Sequence, residues 1–151
     1  MNSRPGLIAI LLVICALTPG CTSLSAALTP RQNELTGPSW RLVSYSVGER
    51  TLVPVGPLTN ITLKFGEKGN VSGFLDGCRR YSGHYTTLGE TIKVTNLTEV
   101  NEGACPWTPD TVEMKNTYFS LLHKSPRFNI NEDTLIFGYF DAERYLVFSR
   151  I

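Results

Sequence analysis

The sequence predicts an α+β, mainly β domain: a single curled antiparallel sheet, partly open and barrel-like, with one helix packed across it. Three observations carry this. Short apolar runs alternate with period two from Trp40 onward, turn-forming residues punctuate them, and one segment after Thr108 switches to helical spacing. About eight strands and one helix in roughly 110 residues suit one sheet closed by that helix.

Taken in order, Trp40-Leu42 and then Val43-Tyr45-Val47 form two alternating stretches whose phase slips by one residue, which predicts a bulged first strand. Leu58 to Phe65 follows, with Ile61, Leu63 and Phe65 on one face. Gly66 to Asn70 turns the chain into Val71 to Phe74, a hairpin signal. Tyr81 to Thr86 and Thr91 to Leu97 alternate around Leu88-Gly89-Glu90. Thr108-Pro109-Asp110 then offers a helix start, and Val112, Phe119 and Leu122 recur at helical spacing, widened by Met114, Tyr118 and Leu121. A helix from about Pro109 to Lys124 is expected, stopped by Ser125-Pro126. Strands resume at Phe128-Ile130, Thr134 to Tyr139 and Tyr145 to Phe148.

Ahead of this domain, Arg4 precedes an apolar run, Leu7 to Leu17, that ends at Thr18-Pro19-Gly20. Spanning hydrocarbon takes roughly 20 apolar residues, so length and flanks favour a signal peptide over residues 1–20 rather than a transmembrane helix. Leu17-Thr18-Pro19-Gly20-Cys21 resembles a bacterial lipobox, with Thr18 where Leu is usual and Pro19 where Ala or Ser is usual. Diacylglycerol on the Cys21 thiol is the expectation, together with a palmitate-type acyl chain. Ordinary cleavage near Ser25-Ala26-Ala27 is the rival. Residues 21–39 are small, polar and proline-dotted, and read as a lipidated N-terminus and flexible tether to a domain at 40–151.

The chain has 14 Lys and Arg against 13 Asp and Glu, and loss of Arg4 with the leader leaves 13 of each. The charges are interspersed, without a basic arm, so no nucleic-acid partner is expected. Of four cysteines, Cys15 lies in the leader and Cys21 at the lipidation site, leaving Cys78 and Cys105 as the one internal pair. In an oxidising compartment these are expected to bond, at a value on the order of 3 kcal/mol. A metal site is the competing reading, for which His84 and His123 are few and scattered. No metal and no cofactor are expected.

The segment Val71 to Tyr85 resembles the signature of the META domain, or HslJ-like, family of small bacterial envelope proteins. Gly77, Cys78, Tyr81, Gly83 and Tyr85 fit a pattern of glycine, cysteine, asparagine, aromatic, glycine and tyrosine. Arg79 stands in place of the asparagine, and the Gly73 to Cys78 spacing is one residue long. The similarity continues through Trp40-Arg41-Leu42, Ala104-Cys105, Glu113, Phe119, Leu122, Phe128-Asn129-Ile130, Leu135 and Leu146-Val147-Phe148. Asn101 and Gly103 replace the family's threonine and methionine ahead of Ala104-Cys105. The resemblance implies a curled sheet with a helix across it, frequently on a lipoprotein, with links to stress response, antibiotic tolerance, secretion or motility. It implies no known reaction.

No catalytic residues are expected. Cys78 and His84, six apart on a strand, would lie about 20 Å from each other. Glu132-Asp133 and Asp141/Glu143 read as solvated turn formers, and His123 suits a helix C-terminus. Phosphate loops, Gly-x-Ser-x-Gly and His-Glu-x-x-His are absent from the sequence. Asn60, Asn70 and Asn96 each open an N-x-S/T triplet, a coincidence in a bacterial lipoprotein and a glycosylation acceptor were the source archaeal or eukaryotic. Trp107, held between Pro106 and Pro109, either presents a contact surface or caps the core. Arg79 and Arg80, the densest basic spot, are expected to be solvated and available to the same binding surface. The expected function is a non-catalytic envelope module, anchored to membrane by its lipid and supporting the envelope under stress through a protein partner. Alternatives are an inhibitor of a cell-wall lytic enzyme or protease, and a hydrolase built on His84 with an acidic partner.

Overall fold

Alternation along each strand buries one face and wets the other, and the elements sort accordingly. The computed structural model describes residues 30–48, 51–56, 59–77, 79–101, 109–123, 127–139 and 143–151. These form helix α1 (Pro30–Leu35), strands β1 (Ser39–Val47), β2 (Val53–Pro54), β3 (Thr62–Phe65), β4 (Asn70–Phe74), β5 (Arg79–Leu88) and β6 (Thr91–Asn101), helix α2 (Pro109–His123), and strands β7 (Arg127–Asn131), β8 (Thr134–Tyr139) and β9 (Arg144–Arg150).

All nine strands join one antiparallel sheet in the order β2-β1-β3-β4-β5-β6-β7-β8-β9, and β9 also pairs with β1. β1 is therefore the closing strand, with β9 along one side and β3 and then β2 along the other. Its phase slip is real. The β1–β9 register shifts between Leu42 and Ser44, so Leu42 meets Phe148 before the bulge and Tyr45 meets Leu146 after it. One extra residue lets both halves of the strand face the core.

The inner face collects Trp40, Leu63, Phe65, Val71, Tyr81, Ile92, Phe128, Leu135, Phe137 and Phe148, all buried. Opposite the bulk of the sheet, β6 and β7 pair only at Thr91 with Arg127, after which the antiparallel strands run away from each other. α2 lies against β6, β8 and β9 there. Its buried side chains are Tyr118, Leu121 and Leu122, with Met114 and Phe119 packed at their flanks. Val112, expected in the same stripe, is instead exposed.

Two features differ from expectation. β2 is too short to show a period and sits at an edge, where Pro54 costs no ladder bond. The stretch read as tether up to residue 39 contains α1, whose Leu35 is fully buried in the core, while Thr36 bridges in parallel to Phe65. The packed body thus starts ahead of Trp40. No described helix is long and apolar enough to cross a membrane.

Candidate functional site: a groove on the outer face of β3 to β6

Strand β5 supplies both the inner anchor and the outer surface of the site. On the inside, the Tyr81 hydroxyl donates to the Thr62 carbonyl at 2.8 Å and lies 2.5 Å from the Tyr118 hydroxyl. A carbonyl only accepts, so the proton order is fixed: Tyr118 donates to Tyr81, which donates to Thr62. Burial pushes the Tyr81 phenol well above its ordinary value, partly offset by the hydrogen bond to Tyr118. Tyr118 is raised by burial and by its neighbour Tyr81. Both stay neutral, and they tie α2 to β5 and β3.

The tyrosine bridge crosses the β4 backbone at Gly73, which pairs with Tyr81. A Cβ there would collide with the Thr62 carbonyl and lie 2.6 Å from the Tyr81 hydroxyl. Only a residue without a side chain fits there, and Gly73 forms part of the lining of a groove. The groove has a volume of about 480 Å³ and is lined by residues including Thr62, Lys64, Ser72, Phe74, Arg80 and Val100. The Arg80 guanidinium stacks over the Phe74 ring at 5.2 Å from its centroid. A cation held over an aromatic face is attracted by the ring quadrupole.

Arg79, expected at the surface beside Arg80, is buried at 2 % exposure. Strand alternation turns it the opposite way. Its backbone N–H donates to Asp76 at 3.1 Å, its guanidinium to the other Asp76 oxygen at 2.5 Å, and Glu99 stands 3.9 Å away. Lys115 of α2 reaches Glu99 at 3.2 Å. These charges pin the β4–β5 bend to β6 and the helix, and Arg79 is a structural rather than a binding residue. His84 is exposed on β5 outside the groove lining, and His123 is exposed in the last turn of α2. Glu132 and Asp133 are exposed in the β7–β8 turn, as expected of turn formers. Cys21, Cys78, Cys105 and Trp107 lie outside the described residues. No three of His, Cys, Asp and Glu gather at metal-binding distance among the described residues.

Sequence reasoning singled out Arg80 but missed Phe74, Lys64 and the serines around it. A usable signal existed, because Phe74 is out of phase with the inward Val71 and so is an aromatic aimed at solvent.

Comparison with known families decides the chain's kinship: the model of the META domain matches residues 33–150. The chain belongs to the META domain family. Three solved structures share its fold. One, determined by NMR, is of a protein from Burkholderia xenovorans, 20 % identical, with a TM-score of 0.62 over 100 % of this chain and 99 % of that one. A second NMR structure is 24 % identical, with a TM-score of 0.58 over 81 % of this chain and 94 % of that one. A crystal structure of a DUF4847 family protein from Bacteroides vulgatus ATCC 8482 is 14 % identical, with a TM-score of 0.56 over 79 % of this chain and 96 % of that one. No curated protein matches the chain.

In this META domain three described residues of the signature serve the architecture. Tyr81 carries the bridge to Thr62. Gly83 sits opposite a bulge in β6 between Thr95 and Thr98, where a Cβ would lie 2.8 Å from the Thr95 carbonyl. Tyr85 packs edge-on against Phe65 at 4.9 Å and donates to the Gly66 carbonyl of the β3–β4 turn at 2.9 Å. Tyr81, Gly83 and Tyr85 of the motif that marks the family thus shape the sheet.

Proposed function

We propose that the protein is an exported envelope lipoprotein, anchored through Cys21 and stapled between Cys78 and Cys105, that acts as a non-catalytic binding module supporting the envelope under stress. The observation that carries the binding reading is the groove over Gly73, a concave surface with a stacked guanidinium and an aromatic ring. Neither a carboxylate nor an imidazole is among the described residues that line it, so its chemistry favours holding a ligand over general acid–base turnover. The apolar leader, the Gly20-Cys21 junction and the polar stretch after it support export and anchoring.

Intact mass of the membrane-extracted protein tests the anchoring. The expected species begins at Cys21, carries diacylglycerol and a further acyl chain, and lacks two hydrogens. A soluble, unacylated product or two free thiols would remove those parts of the proposal. The binding role is tested by rescue of cells lacking the chain and challenged with an envelope-acting agent. Wild type is expected to rescue, whereas Phe74→Ala and Cys21→Ser are not. Full rescue by a folded Phe74→Ala variant would remove the groove from the function.

A further inference from the structure

Because every strand pairing is antiparallel, strand direction alone sorts the connections between the two ends of the sheet. β1 starts where β3 stops, since Ser39 pairs with Lys64. The turn from Gly66 to Gly69 between β3 and β4, the turn after Leu88 between β5 and β6, and Glu132-Asp133 between β7 and β8 all lie at that end. Arg150 pairs with Trp40, which brings Ile151 there as well. Helix α1 joins them: Leu35 is buried in the core, Thr36 bridges to Phe65, and the Gly37 N–H donates to the Phe65 carbonyl at 3.2 Å. β2, paired with Ser44 and Tyr45 far along β1, lies at the opposite end.

Two observations give the α1 end a partner. The first is reach. From Cys21, the anchor proposed above, to Pro30 at the start of α1 is nine residues. Nine residues span at most roughly 30 Å whatever their conformation, and a packed body of this size is about 35 Å across. The connection is too short to run the length of the body, so an anchored chain cannot set its opposite end on the bilayer. The second is apolar exposure. Leu88 at 85 % and Ile151 at 58 % are the most exposed large hydrophobic side chains among the described residues, and both lie at the α1 end. The three turns carry Glu67 beside Lys68, then Glu90, then Glu132 beside Asp133. Acids outnumber bases in them, which suits a zwitterionic surface better than an anionic one.

We propose that the α1 end rests on the lipid surface, with Leu88 entering the boundary between headgroups and acyl chains. Apolar side chains settle at that depth, roughly 5–10 Å in, through the apolar area they bury. A covalent tether makes the contact intramolecular, so one leucine suffices where free protein would not bind. This placement rests on the Cys21 anchor. The groove on the outer face of β3 to β6 then opens along the membrane plane rather than into it.

Tryptophan fluorescence of the acylated, full-length mature protein tests this in phosphatidylcholine vesicles whose acyl chains carry bromine, a contact quencher. Leu88→Trp sets a reporter at the α1 end, and Leu52→Trp, at a side chain 51 % exposed just ahead of β2, sets one at the opposite end. With the wild-type signal subtracted, emission from position 88 is expected to shift to the blue and to fall about twofold on bromination, while position 52 stays unchanged. Unchanged thermal unfolding shows that each variant is folded, and Ile151→Trp is a second reporter for the α1 end should Leu88→Trp fail that check. Equal quenching at positions 52 and 88, or an unquenched reporter at the α1 end of a folded variant, overturns the proposal. Flotation and intact mass of the same sample separate it from the anchor. An acylated protein that floats with the vesicles but leaves position 88 unquenched keeps the anchor and loses the orientation. An unacylated protein that stays behind loses both.

Discussion

Arg79 and Arg80 are adjacent in β5 and chemically identical, yet one is sealed against Asp76 and Glu99 and the other lies in the open over Phe74. Successive residues of a strand face opposite sides of the sheet, so a single step along the chain separates a structural charge from a surface one. The comparison generalises to the whole of β5. Inward Tyr81 and Arg79 spend their polar atoms on partners within the fold, and outward Arg80 and Ser82 line the groove.

The largest expected effect on this contrast comes from Arg79→Ala. Removing one member of a buried ion pair costs about 3–5 kcal/mol where the partner is left fully dry. Asp76 and Glu99 keep 17 % and 19 % exposure, and Glu99 retains Lys115, so the cost here should be about 2–3 kcal/mol. Denaturant unfolding of the purified domain measures it. A loss below about 0.5 kcal/mol, the range of ordinary surface substitutions, would show that Arg79 is no more structural than its neighbour.

The tyrosine bridge makes an intermediate prediction that depends on pH. Unfolded tyrosines titrate near 10.0, and burial raises Tyr81 and Tyr118 above that. A raised value favours the protonated, folded form, so this contribution is complete below about pH 10 and is lost as pH climbs through the folded values. Each tyrosine held neutral contributes a slope of up to about 1.4 kcal/mol per pH unit in that window. Tyr118→Phe removes one of the two ionisable groups and the donor to Tyr81. At neutral pH it should cost about 1 kcal/mol, and above pH 10 its stability should fall less steeply than that of the wild type. Parallel alkaline slopes in the two proteins would sink the bridge as the cause.

Much of the architecture was legible in the sequence, because period-two alternation is a local property. The phase slip in β1, the hairpins after Phe65 and Leu88, and the helix from Pro109 could all be placed from residue order. What was not legible depends on register or on distant partners. Leu35 belongs to a six-residue helix with no sustained period, so only the core it enters reveals it. The burial of Arg79 requires Glu99, twenty positions away, to come alongside it. The groove requires Phe74, Arg80 and Val100 to fall into one row across three strands, and no single strand contains that information.

The smallest expected effect on stability completes the contrast. Arg80 is exposed, and a cation–π contact such as the one it makes with Phe74 is worth about 0.5–1 kcal/mol at such a site. Arg80→Ala should therefore lower stability by no more than about 1 kcal/mol, a fraction of the cost of the same substitution one residue earlier. The two variants measured side by side in the same denaturant series give a ratio that cancels most systematic error. If Arg80→Ala proved as costly as Arg79→Ala, the outward guanidinium would be holding the fold together, and the groove would lose its claim to be a surface kept for a ligand. If the ratio holds, a loss of ligand binding in Arg80→Ala can be assigned to the missing guanidinium itself, since the sheet beneath it is unchanged.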